Sequence, residues 1–338
     1  MNMDRRQFIG RSTAALGSIA SLGAAGQDPA QGPAAARKGE ASSALGRPVR
    51  AVSISFSRGL SVEQIAGLVD KEGARGTDII ALPEGAGRDL DGALMVAVGG
   101  LAAKHRTYVV CPISRADGDG RLNSAVLLDR RGQILGIYDK MYPYWSEFAR
   151  DPVTKPGQAV KVFQTDFGRV GLAICYDVNW APLWQRLGDF GAELVIWPSA
   201  YSAGRSLQAR ATDFNYYIMS STQVPDCLVY DIDGEELVYE HNNVADNTNV
   251  TRFTFDLDRC VFHQDFNLPT KLAKLLKEHG DDVVREKWEP KEGWFVLKAK
   301  RPGVSARELA RQGGLEERRP YINRSRCELD RRRGWQFS

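Results

Sequence analysis

The sequence predicts an α/β protein with a mixed sheet. Two patterns carry this prediction. Short apolar runs alternate with capped amphipathic segments, and several of the runs come in pairs joined by Gly- or Asp-containing turns, as hairpins do. The 338 residues include 45 Lys and Arg against 42 Asp and Glu, a formal charge of +3. So small an excess marks no nucleic-acid partner. The five Cys are scattered, odd in number and never spaced C-x-x-C, so neither a disulfide framework nor a zinc ribbon is expected. Four His leave little material for a His-based metal centre. No cofactor or metal is expected. Downstream of the N-terminal stretch, no run reaches the roughly 18 apolar residues of a membrane span.

At the N-terminus, Asp4-Arg5-Arg6-Gln7-Phe8-Ile9-Gly10 is followed by a weakly apolar stretch that includes Ala14, Ala15, Leu16, Ile19, Ala20 and Leu22. Gly interrupts it and no 3.6-residue period runs through it, which disfavours an amphipathic first helix. It resembles a twin-arginine export signal. The implied organisation is a signal over 1–26, with cleavage near Gly26 or after Ala36. A Pro/Ala/Gly/Ser-rich linker over 27–47 follows, then a domain over 48–260 and a C-terminal extension over 261–338. The implied location is periplasmic or extracytoplasmic.

Residues 49–56 are apolar on both parities, as in a buried strand. Ser61 with Gln64 three residues on has capping-box spacing, and Val62, Ile65, Leu68 and Val69 supply a helix face. A short buried strand over 78–82 stops at Pro83-Glu84, and a helix over 92–105 leads to a strand over 108–113. Strands over 124–129 and 133–138 flank Arg130-Arg131-Gly132, and strands over 161–165 and 169–174 flank Asp166-Phe167-Gly168. A helix over 181–190, a strand over 193–197, a helix near 206–214 and a strand over 216–222 follow. Further strands are expected near 227–230, 236–240 and 250–256. From about 258 the composition turns charged. Residues 270–289 read as one amphipathic helix, and the Arg-rich stretch 301–338, with acidic residues interleaved, reads as a solvated extension packed on the body or on a second subunit.

Three residues stand at ends of buried runs. Glu84 follows Ile79-Ile80-Ala81-Leu82-Pro83, where lost solvation raises a carboxyl pKa toward the range useful for proton transfer. Cys175 follows Val170-Gly171-Leu172-Ala173-Ile174 at a strand-to-helix turn, where a helix N-terminus and a nearby cation are expected to lower a thiol pKa. Lys140 ends the strand through Tyr138 and is placed to stabilise a thiolate or an oxyanion. Taken singly, each has an ordinary explanation: a loop glutamate, a structural cysteine, a surface lysine.

Together, and in this order, they resemble the carbon–nitrogen hydrolase (nitrilase) superfamily. The resemblance runs from about Val49 to Phe255. It includes Gly120-Arg121-Leu122-Asn123-Ser124 with Gly132, then Pro156-Gly157, Phe167-Gly168 and Gly171. It also includes Cys175-Tyr176-Asp177, Gly191 through Pro198-Ser199-Ala200, and Ala209-Arg210-Ala211-Thr212-Asp213. Asp213, Phe214 and Leu183 depart from the usual Glu, Asn and Glu. The resemblance implies a four-layer α-β-β-α sandwich that forms a homodimer or larger homo-oligomer. It implies a Glu84–Lys140–Cys175 triad that cleaves a non-peptide C–N bond in an amide or N-carbamoyl compound through a thioester. Glu147, seven residues past Lys140, matches the family's second glutamate, and the Tyr176 backbone N–H would help hold the oxyanion. The alternatives are nitrile hydrolysis through a thioimidate and a catalytically inactive binding protein on the same scaffold.

For substrate, Tyr144, Trp145 and Tyr201 are candidate pocket walls, and Arg205 is a candidate carboxylate partner. Most other aromatics between Tyr138 and Tyr201 are expected to fill the core. A papain-like hydrolase would need a His paired with Cys175, but neither His241 nor His263 stands at a matching strand end.

Overall fold

The computed structural model describes residues 45–241 and 247–335. The proposed export signal and most of the linker lie outside the described residues.

The first half of the chain builds one sheet. Its elements are β1 (Pro48–Phe56), α1 (Val62–Gly73), β2 (Ile79–Ala81), β3 (Gly87–Arg88), α2 (Ala93–His105), β4 (Tyr108–Asp117), β5 (Gly120–Leu128), β6 (Ile134–Asp139) and β7 (Thr154–Lys155). The expected capping box on α1 forms reciprocally: Gln64 N–H donates to Ser61 Oγ at 3.2 Å, and Ser61 N–H donates to Gln64 Oε1 at 2.8 Å. The β5–β6 turn requires Gly132, which has φ +75 and sits so near α2 that a Cβ would lie 2.1 Å from Gly99 O.

A second sheet follows. Its elements are β8 (Val162–Gln164), β9 (Arg169–Leu172), α3 (Ala181–Asp189), β10 (Leu194–Ser199), α4 (Arg205–Phe214), β11 (Tyr217–Thr222), β12 (Asp226–Tyr230) and β13 (Glu236–His241). β14 (Thr248–Asp256) then returns to pair antiparallel with β1. The first sheet runs β14-β1-β2-β4-β5-β6, with β3 and β7 attached at β4 and β5; the second runs β13-β12-β11-β10-β9-β8. Both mix parallel and antiparallel pairs.

Strand parity makes the layers. Val49, Ala51, Ile79, Ala81, Val110, Ala125 and Leu127 join the core between the sheets. Their neighbours Val52, Ile54, Ile80, Val109, Val126 and Leu128 face the other way, with Ile65 and Val69 of α1 and Leu94 and Val98 of α2. On the second sheet, Leu183, Trp184 and Leu187 of α3 and Leu207 and Ala211 of α4 extend the central core. The result is the expected α-β-β-α sandwich. Polar ties cross it: Ser55 Oγ donates to Asp226 O at 2.7 Å and Ser221 Oγ to Ile54 O at 3.1 Å.

The tail departs from expectation. β15 (Cys260–His263), α5 (Leu268–His279), β16 (Val283–Glu289), β17 (Trp294–Ala299), α6 (Ala306–Gln312) and α7 (Arg318–Arg333) form a small module with a β15-β17-β16 sheet. It has its own core, including Phe262, Leu272, Leu275, Phe295 and Leu297. The single helix expected over 270–289 is therefore a helix followed by a strand. Gly280 caps α5, and the residues from Val283 onward pair with β17, so non-local pairing overrides the helical pattern. Arg259 forks onto buried Asp231 at 2.6 and 2.9 Å, Arg307 reaches Glu193 at 2.5 Å, and Arg319 donates to Ala192 O, which locks the module to the body. Among the described residues, no helix is long and apolar enough to cross a membrane.

Candidate active site

Three strand ends converge on a cavity of about 530 Å³. Glu84 stands just past β2, Lys140 just past β6 and Cys175 just past β9. All three line the cavity and all three are buried.

Lys140 is held at its backbone and its tip. Its N–H donates to Asn123 O and its carbonyl accepts from Gly157 N–H, both at 2.8 Å. Gly157 comes so close that a Cβ would meet Asp139 O at 2.1 Å. At the tip, Nζ donates to Glu84 Oε1 at 2.8 Å and to Glu147 Oε2 at 2.6 Å. Burial alone would lower the ammonium pKa, but the carboxylates of Glu84 and Glu147 outweigh it and hold the group protonated.

Glu147 lies in the 3₁₀ turn Trp145–Glu147. Its carboxylate also accepts from Tyr144 N–H at 2.7 Å and Asn123 Nδ2 at 3.1 Å. Burial would raise its pKa, but Lys140 and these donors leave it below the ordinary carboxylate range. Glu84 differs. Oε1 takes Lys140 and Asn123 Nδ2, the latter at 2.7 Å. Oε2 is buried and has no hydrogen-bond partner among the described residues. One glutamate is saturated and the other keeps a free acceptor.

Cys175 sits in the left-handed region at φ +48, opening the 3₁₀ turn Cys175–Asn179. Such a residue stores about 1–3 kcal/mol of strain and needs its surroundings to hold it. Ile174 N–H donates to Asp177 Oδ2 at 2.8 Å, Trp197 Nε1 to Cys175 O at 3.1 Å, and Arg210 through two nitrogens to Val178 O at 3.1 Å. The expected low thiol pKa is not what this setting produces. Burial and the charge of Glu84 push the thiol up to about 12, against the pull of Lys140, the Ala200 N–H and the Ser199 hydroxyl. The 3₁₀ turn is too short, and the site too dry, for a dipole to offset desolvation.

Of the other expected residues, Tyr144, Tyr176 and Tyr201 line the cavity. Tyr144 meets Tyr176 edge-on, with centroids 5.1 Å apart. Trp145 does not line it and is 80% exposed, because its 3₁₀ turn spends its inward position on Glu147. Arg205 is likewise exposed and outside the lining, at the first residue of α4. Residues not anticipated as site members also line the cavity: Asn123, Arg58, Arg150, Asn179 and Gln223. Asn123 had a readable signal. It shares strand parity with Ala125 and Leu127, so an amide falls on a core-facing position. Among the described residues, no His lines the cavity. The acidic group Asp231, Asp233 and Glu235 closes on Lys287 Nζ at 2.7–2.8 Å, so a lysine ammonium already fills the place of a cation.

Residues 62–252 match the family model for carbon–nitrogen hydrolases. The chain belongs to the carbon–nitrogen hydrolase family. A deaminated glutathione amidase of Yersinia enterocolitica is 28% identical over 152 residues, covering 40% of this chain and 53% of that protein. The chain spans about half the length, or less, of the curated relatives it matches. In fold it is similar to a nitrilase-superfamily protein of Saccharomyces cerevisiae, with a TM-score of 0.54 at 18% identity over 64% of this chain and 93% of that one. It is also similar to a double mutant of the amidase from Nesterenkonia sp. AN1 in complex with acrylamide, with a TM-score of 0.54 at 19% identity over 68% and 98%. In this chain the first sheet presents Glu84 and Lys140 to the cavity, and the second presents Cys175.

Proposed function

We propose that this carbon–nitrogen hydrolase cleaves the C–N bond of a small amide or N-carbamoyl compound through a thioester on Cys175. The observation that carries this is the division of labour between the carboxylates: Glu147 is saturated by donors, while Glu84 keeps one buried oxygen free. Glu84 Oε2 takes the thiol proton as Sγ bonds the carbonyl carbon. Lys140 Nζ and the Tyr176 N–H receive the oxyanion. The proton then passes from Glu84 to the nitrogen, the C–N bond breaks, ammonia or an amine leaves, and a thioester remains. Water gives a proton to Glu84 and attacks the thioester, and the departing thiolate recovers that proton as the acid leaves.

Names borne by relatives, including deaminated glutathione amidase and omega-amidase, support an amide over a nitrile. Ammonia release measured over amides, N-carbamoyl compounds and nitriles tests the reading. Turnover of amides or carbamoyl compounds that disappears in Cys175→Ala is expected, and turnover confined to nitriles would overturn it. We further propose a homodimer or larger assembly, which a monomer in light scattering would refute. For Arg5 and Arg6 we propose twin-arginine export, which undiminished export of the Arg5→Lys/Arg6→Lys variant would refute.

A further inference from the structure

The charges around the cavity are divided between its depth and its mouth. In the depth, Glu84 and Glu147 are the only acidic lining residues among those described, and both are committed to Lys140. At the mouth stand two exposed arginines. Arg58, between β1 and α1, donates through Nε to Gln223 Oε1 at 3.2 Å, and Gln223 in turn donates to Glu84 O. Arg150 lies on the loop between the Glu147 turn and β7. Among the described residues, neither makes an ion pair, whereas Arg115, Arg121 and Arg130 on the same half of the protein are each held by an aspartate. Tyr144, Tyr176 and Tyr201 wall the space between floor and mouth. Arg205, the sequence-based candidate for a carboxylate, stands outside it.

We propose that the substrate carries a carboxylate remote from the scissile bond, and that Arg58 and Arg150 receive it at the mouth while Cys175 attacks the other end. The assignment rests on the C–N hydrolysis proposed above and names the substrate class within it: short monoamides of dicarboxylic acids, or N-carbamoyl amino acids. Guanidinium forks match a carboxylate in two parallel bonds. Because both arginines are exposed, each contact is worth less than a buried one. Two together, at the edge of an aromatic-walled cleft, also raise the local concentration of an anion. A carboxylate fits the geometry better than a phosphate dianion, since among the described residues no helix N-terminus or lysine joins the two arginines at the mouth.

The test is ammonia release from the purified protein with substrates matched in length. Succinamate and glutaramate are set against butyramide and valeramide, and N-carbamoylalanine against propylurea. The expected result is kcat/KM at least about tenfold higher for the carboxylated member of each pair, a preference that weakens as salt is raised. Arg58→Ala and Arg150→Ala should each lower that preference by about three- to tenfold, mainly through KM, and Arg→Lys at either position should restore part of it. Equal turnover of carboxylated and neutral amides would overturn the assignment and leave amide hydrolysis standing. So would arginine variants that depress both members of a pair alike. Ammonia from none of these compounds would overturn the hydrolytic reading itself.

Discussion

Asp177, two residues after Cys175, accepts a hydrogen bond at 2.9 Å from the backbone N–H of Tyr142, two residues after Lys140. Its other oxygen accepts from Tyr138 Oη at 2.7 Å and from Ile174 N–H at 2.8 Å. One buried carboxyl therefore ties the turn that carries the cysteine to the strand end that carries the lysine, although the two belong to different sheets.

Asp177→Asn places an amide donor against backbone donors and strands at least one of them, a cost of about 1–3 kcal/mol. The two strand ends should lose register, with kcat falling about 10- to 100-fold and KM little changed. The stability profile supplies a second readout. Burial pushes the Asp177 pKa up to about 7, against the Ile174, Tyr138 and Tyr142 donors and the charge of Lys140. A raised carboxyl contributes stability that is complete below its unfolded value of 3.8 and lost as pH rises through about 7. The wild type should lose Tm across that window, and the gap to Asp177→Asn should narrow at pH 8. A constant gap would contradict the buried-carboxyl account.

The two glutamates should separate cleanly. Glu84→Gln keeps shape but removes the acceptor, and a general base contributes about 10²–10⁴ in rate. Glu147→Gln still accepts one bond, so it should lose about tenfold through a less restrained Lys140. Steady-state ammonia release decides between them. Near-normal turnover in Glu84→Gln with loss in Glu147→Gln would reverse their roles.

Much of this site was legible in the sequence because chemistry sits where apolar runs stop. Glu84 and Cys175 each follow a strand that its apolar run identifies as buried, Lys140 follows a hairpin strand that is partly exposed, and their resemblance to a known family put them in one place. What stayed hidden depends on register and loop path. Trp145 and Glu147 share one short turn, and nothing local tells which of them turns inward. Arg58 and Arg150 reach the mouth only because β1 and the loop before β7 end on the same side as Cys175. In the tail, the charges of 270–289 suggest one helix. Pairing of the residues from Val283 with β17 decides otherwise, and that partner lies beyond a turn no periodicity announces.

The thiol should stay protonated at rest. With its pKa near 12 against an ordinary 9.0, Cys175 holds no stored thiolate from neutrality to pH 9. The ultraviolet thiolate absorbance of wild type minus Cys175→Ala should therefore be nil across that range. Iodoacetamide should label Cys175 slowly at neutral pH, and more slowly still in Glu84→Gln, because Glu84 must take the proton during attack. A thiolate signal at neutral pH would mean that Lys140 outweighs burial.

Acid should loosen the tail module before the rest of the protein. Asp231 accepts both arms of Arg259 and also Lys287 Nζ at 2.8 Å, so it joins the body to the module. Burial would raise the Asp231 pKa, but Arg259 and Lys287 hold it below the ordinary 3.8. Glu193, paired with Arg307 across the same junction and with Arg47 within the body, is lowered in the same way. A depressed carboxyl contributes stability that is present above its unfolded value and is lost as pH falls through its folded one. Unfolding midpoints should thus drop steeply below the ordinary carboxylate range. Asp231→Ala leaves Arg259 buried without its partner, so at neutral pH it should cost about 3–5 kcal/mol. The same variant should show a shallower acid slope, because one of the protons that drives it is gone. Hydrogen exchange should report the loss first in β15 to β17. Uniform loosening across both large sheets would mean that the junction does not carry the acid response.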